Sequence, residues 1–285
     1  MIAQNFEYSA PSSLKDALGL LAGDDVKVLA GGMSLIPLMK LRLATPGQLV
    51  DLGRIPDLNY IREDKGTLRI GATTTHYQVE TSAAVLSKCP LLAEAAAHIG
   101  DIQVRNVGTL GGSVAHADPA ADYPASLLAL EARVVLVTAK GQRELPIAEF
   151  FVDTFTTALE PGEIIREVIV PVEEQSAGTS YQKMLQPASG FAIVGIAARV
   201  KKSGGKVTMA RVGVTGLSGK PYRASSVEKA LEGTAGSASD VQKAAASVGE
   251  GVDANSDLHA SADYRKHLAR VYTMRALTVA LSRTA

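Results

Sequence analysis

Two short segments of this chain join glycine pairs to small hydroxyl side chains: Ala30-Gly31-Gly32-Met33-Ser34-Leu35 and Thr109-Leu110-Gly111-Gly112-Ser113. Glycine lacks a Cβ, so such a backbone turns sharply and lets a ligand come close to it. Successive N–H groups in a turn, or at the start of a helix, bind phosphate oxygens. Two segments of one chemistry suit the two halves of a diphosphate, which points to a dinucleotide. Asp118 and Asp122 follow the second pair. Carboxylates there can accept hydrogen bonds from ribose or ribityl hydroxyls; the structural alternative is that Asp122 caps a helix starting near Tyr123. Lys183, on an expected strand, can place a cation beside an electron-rich ring, although a lone lysine is by default a solvated surface charge.

Other chemistries lack their residues. No Gly-x-Gly-x-x-Gly follows a strand-like run, and no lysine with serine or threonine closes a glycine run, so Rossmann and phosphate-loop folds are not expected. Ser113, His116 and Asp118 lie close together without a nucleophile elbow, which argues against a hydrolase triad. The five histidines show no zinc-protease spacing. Asp253, Asn255 and Asp257 begin like a calcium loop, but Leu258 and Tyr264 stand where glycine and glutamate are needed. The single cysteine, Cys89, excludes an intrachain disulfide and a cluster ligated by cysteines of this chain alone. Lys plus Arg and Asp plus Glu each total 29, aromatics are 5% and tryptophan is absent, so nothing favours nucleic acid. The N-terminus has no basic region followed by an apolar run, and no apolar stretch is long enough to span a bilayer; a cytoplasmic protein is expected.

The elements that must carry these residues follow from periodicity and turn signals. With 285 residues, 46% hydrophobic, the chain can form two or three compact domains. Residues 11–22 read as a helix with Leu14, Leu18 and Leu21 on one face, Gly23-Asp24-Asp25 as a turn, and 26–30 as a strand running into the first glycine pair. Ser34 then opens a helix to about residue 43, in which Pro37 fits only the first turn. Residues 48–52 read as a strand, and 59–62 with 67–71 as a hairpin around Asp64-Lys65-Gly66. Residues 75–87 and 91–99 are expected to be helical, 101–119 a long structured loop, and 123–130 a short helix. Residues 133–138, 163–170, 179–184, 191–200 and 207–214 read as strands, with a boundary over 171–178. A mostly helical end includes 262–283, with Tyr264, Leu268, Val271 and Tyr272 on one face.

At the glycine segments the sequence resembles the FAD-binding medium subunits of molybdenum hydroxylases, the carbon monoxide dehydrogenase and xanthine dehydrogenase family. The shared stretches are residues 29–43, 104–124 and 262–268, the last reading Ala-Asp-Tyr-Arg-Lys-His-Leu. The resemblance runs nearly end to end. It implies an α+β chain with the FAD-binding fold of the vanillyl-alcohol oxidase type: two α/β subdomains, residues 1–56 and 57–175, followed by a C-terminal α+β domain, residues 176–285. It implies that residues 30–35 and 109–113 wrap the FAD diphosphate with backbone N–H groups. Asp122 takes the place of the family's FAD-binding aspartate with Asp118 beside it. Ile165 falls on the adenine side, Lys183 near the flavin, and Phe191 beside the isoalloxazine ring. The sequence departs from the family pattern at Ser113, where asparagine is common, and at Gln186, Pro187 and Gly190, where charged residues are common.

The family implies an electron-transfer role without a catalytic residue or metal site in this chain. Substrate would be oxidised at a molybdenum-pterin cofactor in a large partner subunit. A small subunit with two [2Fe–2S] clusters would pass electrons to FAD here, within a dimer of heterotrimers. The alternative is a stand-alone FAD-dependent oxidoreductase of the same fold. It would need its own substrate pocket and acid–base set, which the sequence does not display.

Overall fold

The computed structural model describes residues 2–23, 25–174 and 176–284. Asp24 and Gln175 lie outside them, and with them the centre of the turn expected at 23–25 and part of the boundary expected over 171–178. The chain is α+β, as expected, and is built around three main sheets.

Strands Glu7–Ser9, Gln48–Asp51 and Val26–Leu29 form a small parallel sheet in that order. Helix Leu14–Leu20 starts after Ser13, whose side chain accepts the Asp16 N–H, so it is shorter than its apolar repeat suggested. It buries Ala17 and Leu18 in a cluster with Val50, Leu52, Ile55 and Leu58. The strand Val26–Leu29 leads through the first glycine pair into helix Leu35–Lys40, where Pro37 occupies the first turn. That helix ends before residue 43 because Arg42 turns left-handed, at φ 60°.

The second sheet is antiparallel, in the order Ile61–Asp64, Thr67–Gly71, Ile164–Pro171, Arg133–Thr138, Gly141–Pro146. Lys65 and Gly66, at φ 48° and 78°, close the expected hairpin. The strand Gly141–Pro146 was not foreseen. It carries Gln142, Arg143 and Glu144 and lies at an edge, where charge guards against further pairing.

Between this sheet and the next lies a helical layer. The helix expected over 75–87 is broken into His76–Thr81 and Ala83–Lys88, because Ser82 leaves helical geometry at ψ 121° and caps the second piece. The loop expected over 101–119 is mostly helix: Ile102–Val107 capped by Asp101, and Leu110–His116 capped by Thr109. The glycines argued for a loop, but a side-chain cap is worth about 1 kcal/mol and offsets the helical penalty of one glycine. Helix Asp122–Ala129 has Ala121 at its N-cap position, so Asp122 is its first residue and does not cap it. All eight residues of this helix are buried, as befits a helix covered on every side.

One cover is the third sheet, the antiparallel Ala177–Leu185, Ala192–Ser203, Lys206–Thr215 and Tyr222–Arg223. At Gly213 it meets the helix Asp122–Ala129 backbone. A Cβ there would lie 2.7 Å from the Ala125 carbonyl carbon and closer still to its oxygen. Gly213→Ala is therefore expected to cost about 2–3 kcal/mol, the penalty of an overpacked core, and to lower the melting temperature in a thermal scan.

The other face of that sheet carries helix Ala262–Ser282, with Ser225–Leu231 and Ala238–Ala245 beside it in one cluster. The long helix buries Arg265, Leu268, Ala269, Thr273, Ala276, Leu277 and Ala280. The expected face began at Tyr264, which is instead 45% exposed. Small residues set the true face, since they let helix and sheet approach closely, and Gly178 meets the Ala280 backbone there. Among the described residues no helix is long and apolar enough to cross a membrane, and no acidic, histidine or cysteine group could hold a metal ion.

Candidate cofactor site

The first glycine segment leaves the carboxyl end of a parallel strand, the end of an open sheet where ligands bind. Gly32 takes φ 71°, a left-handed turn that favours glycine. Past it the chain closes on itself: the Ile36 N–H donates to Gly32 O at 3.0 Å, and the Leu38 N–H to Ser34 O at 3.2 Å. The N–H groups of Gly31, Gly32, Met33, Ser34 and Leu35 meet no acceptor among the described residues. Ser34 does not cap the helix with its side chain. Such a run of donors on a bent backbone is a cradle for an anion.

Gly31 brings the two glycine segments together. A Cβ on it would lie 2.7 Å from the Gly108 Cα and closer to the Val107 carbonyl oxygen, so the first segment rests on the turn that opens the second. In the second segment most N–H groups are taken within the chain. Leu110 donates to Thr74 O at 2.9 Å, Gly111 to Ala72 O at 2.8 Å, and Ser113 to Thr109 O at 3.0 Å. The Gly112 N–H goes to Thr109 Oγ1 at 3.1 Å. What this segment offers a ligand is the bare Gly112 backbone and the Thr109 and Ser113 hydroxyls. Beneath the turn, a Cβ on Gly108 would meet His76 Nε2 at 2.6 Å. His76 Nδ1 lies 3.3 Å from the Tyr123 hydroxyl. Burial pushes the His76 imidazole down to about 4, so a neutral ring braces the turn at physiological pH.

Helix Leu110–His116 and its left-handed end at Ala117 carry the chain to a second group of expected residues. The Asp118 carboxylate accepts the Ala120 N–H at 2.8 Å and closes its own turn. Asp122 and Lys183 form a buried pair. Lys183 Nζ donates to both Asp122 oxygens, at 2.8 and 3.0 Å, and to His98 O at 2.7 Å. The Lys183 side chain is 1% exposed and that of Asp122 4%, so Lys183 is not a solvated surface charge. The Tyr181 hydroxyl donates to Asp122 Oδ1 at 2.6 Å. Burial pushes the Asp122 carboxyl up to about 6, while Lys183 and Tyr181 pull it down, leaving it mostly ionised at neutral pH. Tyr181 was not foreseen. Strand alternation was the available signal, since Tyr181 and Lys183 are two apart and share a face.

Ile165 is 4% exposed, beside a bulge in the central strand Ile164–Pro171, and belongs to the main core cluster. Phe191 and Met33 are 44% and 40% exposed and are free to cover a ligand. Phe191 ends a tight hairpin made of the residues that depart from the family pattern. Its carbonyl accepts the Gln186 N–H at 2.8 Å, and Gln186 Oε1 accepts the Ser189 N–H and hydroxyl at 2.5 and 2.8 Å. Gly190, at φ 75°, turns the hairpin against Gly100. A cleft of about 410 Å³ lies between this hairpin, Asp118 and Arg265.

The site thus has unpaired N–H donors, the Ser113 hydroxyl, the capping Thr109 hydroxyl, close backbone approach and an exposed aromatic ring, and a dinucleotide fits that chemistry. Residues 4–173 match the family model for the FAD binding domain in molybdopterin dehydrogenase, and residues 179–280 that for the CO dehydrogenase flavoprotein C-terminal domain. The chain is 41% identical to the carbon monoxide dehydrogenase medium chain of Hydrogenophaga pseudoflava, covering 100% of both. It is 39% identical to the 6-hydroxypseudooxynicotine dehydrogenase complex subunit alpha of Paenarthrobacter nicotinovorans, covering 98% of this chain and 95% of that one. A solved carbon monoxide dehydrogenase from Hydrogenophaga pseudoflava, lacking the Mo-pyranopterin moiety of its cofactor, superposes with a TM-score of 0.97 at 42% identity and 100% coverage of both chains.

Proposed function

Since the chain belongs to the family of FAD-binding medium subunits of molybdopterin dehydrogenases, we propose that it holds FAD non-covalently and relays electrons within a larger oxidoreductase. The observation that carries this reading is the run of unpaired N–H groups over residues 31–35, seated on the turn that opens the second glycine segment. Ala30, Gly31, Gly32, Met33, Ser34 and Leu35 would hold one side of the diphosphate. Thr109, Leu110, Gly111, Gly112 and Ser113 would shape the other, with the two hydroxyls donating. Asp118 would face the ribityl side, Ile165 would back the adenine side, and Phe191 would cover the ring. Asp122 and Lys183 would support the ring end from beneath as a pair of opposite charges. FAD, when bound, supplies a carrier that takes electrons singly and gives up one or two.

In this reading substrate is oxidised at a molybdenum-pterin site in a large subunit, and a small subunit with two [2Fe–2S] clusters delivers the electrons. The assembly is a dimer of heterotrimers in the cytoplasm. The lone Cys89 is fully buried, which agrees with clusters borne on another chain. The proposed division at residues 56 and 175 crosses the hydrophobic clusters: that of the small parallel sheet also takes in Leu58, Val137 and Ile164, and the main cluster takes in Tyr181 and Ala197 of the C-terminal sheet.

Purification from the native source with its partners tests this. FAD is expected in this chain, with molybdenum and iron on the co-purifying chains. A flavoprotein that turns over an organic substrate alone, free of both metals, would overturn it.

A further inference from the structure

The shared stretch over residues 262–268 has no part in the diphosphate site, yet it contains an unusual residue. Arg265 lies in the first turn of a helix of 21 residues, where the helix dipole disfavours a cation, and it is 4% exposed. Burying a guanidinium there is costly unless its donors are matched. Three acceptors match its two Nη groups, while the buried Nε meets none among the described residues. Nη1 donates to Ile193 O at 2.6 Å and to Gly216 O at 2.8 Å, and Nη2 to Asp257 Oδ2 at 2.7 Å. Asp257 is itself held, its Oδ1 accepting the His259 and Ala260 N–H groups at 2.9 and 3.0 Å. The aspartate of the rejected calcium loop thus anchors an arginine.

Both backbone segments that Arg265 grips touch the turn between the two site helices. The Gly216 N–H donates to Pro119 O at 2.7 Å, and the Ala192 N–H to Ala120 O at 3.1 Å. The Thr215 hydroxyl lies 2.9 Å from Pro119 O and 2.8 Å from Ala121 O. Ile193 follows Phe191 by two residues, and the hairpin behind Phe191 is closed by Gln186 and Ser189. A planar guanidinium holds its two carbonyls and the carboxylate in fixed directions on two separate nitrogens, whereas a lysine would gather all its acceptors around one rotatable nitrogen.

We infer that Arg265 is a positioning residue: its grip on Ile193 and Gly216 fixes where Phe191 stands relative to the Asp118–Ala121 turn, and so how tightly the flavin ring is covered. This rests on the reading that Phe191 lies beside that ring. The test uses the full chain purified with its flavin and partners. Arg265→Met is expected to keep FAD, because the diphosphate grip is separate, but to shift the visible circular dichroism bands of the flavin and raise iodide quenching of its fluorescence several-fold. Phe191→Ala is expected to produce the same changes without a fall in melting temperature. The double variant should then add nothing to either single change. A lower melting temperature with unchanged flavin dichroism and quenching would reduce Arg265 to a stability role and overturn the inference. Additive effects in the double variant would overturn it as well. If Arg265→Met does not fold, Asp257→Asn loosens the same grip and is expected to move both signals the same way to a lesser extent; no movement there would overturn the inference. A wild-type chain without flavin would instead overturn the cofactor reading.

Discussion

Gly31→Ala is expected to weaken flavin binding by about one to two orders of magnitude while leaving the protein folded. The added methyl would lie 2.7 Å from the Gly108 Cα and closer to the Val107 oxygen, both of them backbone. Neither side can yield cheaply. The Gly108 N–H is bonded to Val104 O at 2.7 Å, and its carbonyl accepts the His76 N–H at 2.9 Å. On the other side, Gly31 is tied to the end of a parallel strand. Relief must come from lifting the first segment off the second, which spreads the unpaired donors of residues 31–35. Overpacking of this kind costs about 1–3 kcal/mol. Spent against binding, it weakens affinity by about 5- to 150-fold, and loss of aligned donors adds to that. Titration of the flavin-free protein with FAD, followed by fluorescence quenching, measures it. Gly141→Ala is the control, because a Cβ there meets nothing within 4 Å. Uptake by the Gly31 variant equal to that of the control would show that the two segments do not form one binding surface.

Lys183→Met should cause the largest loss of stability. It leaves the Asp122 carboxylate, 4% exposed, with only the Tyr181 hydroxyl for company. Removing one partner of a buried pair costs about 3–5 kcal/mol, equivalent to a melting temperature lower by about 10 °C in a chain of this size. The loss has a pH signature. Burial already holds the Asp122 carboxyl above its unfolded value, at about 6, and Lys183 opposes that shift. A carboxyl with a raised folded pKa favours the folded state at acid pH and loses that contribution as pH rises through the folded value. Without Lys183 the folded value rises further. The deficit of the variant should therefore be smallest near pH 4 and grow as pH passes about 6. Adding Asp122→Asn should recover much of it by removing the stranded charge. Thermal melts across that pH range decide the matter; a deficit independent of pH would mean that Asp122 is not the group left unpaired.

Much of this molecule could be read along the chain. The strand before Gly31, the turn at Lys65-Gly66 and the first-turn place of Pro37 depend on a few adjacent residues, and each is found as expected. The glycine segments themselves, long and specific, carried the cofactor class and the family. Failures came where a local signal met a competing one. Over residues 101–119 glycine content suggested a loop, while Asp101 and Thr109 supplied caps that make two helices. On the last helix, large residues suggested a face, while Ala269, Thr273, Ala276 and Ala280 supplied the one that packs.

Side-chain types and short spacings were thus enough for the ligand chemistry and for most element types, though not for residues 101–119 or the strand Gly141–Pro146, because φ preferences and unpaired N–H groups are properties of a few neighbouring residues. The state of the charges was settled by folding. Asp122 and Lys183 are 61 positions apart, and Arg265 is 72 and 49 from the two carbonyls it grips. Whether such groups are solvated, paired or buried depends on how one sheet lies against the helices of another, and burial changes the energy of a charge far more than any neighbour along the chain can.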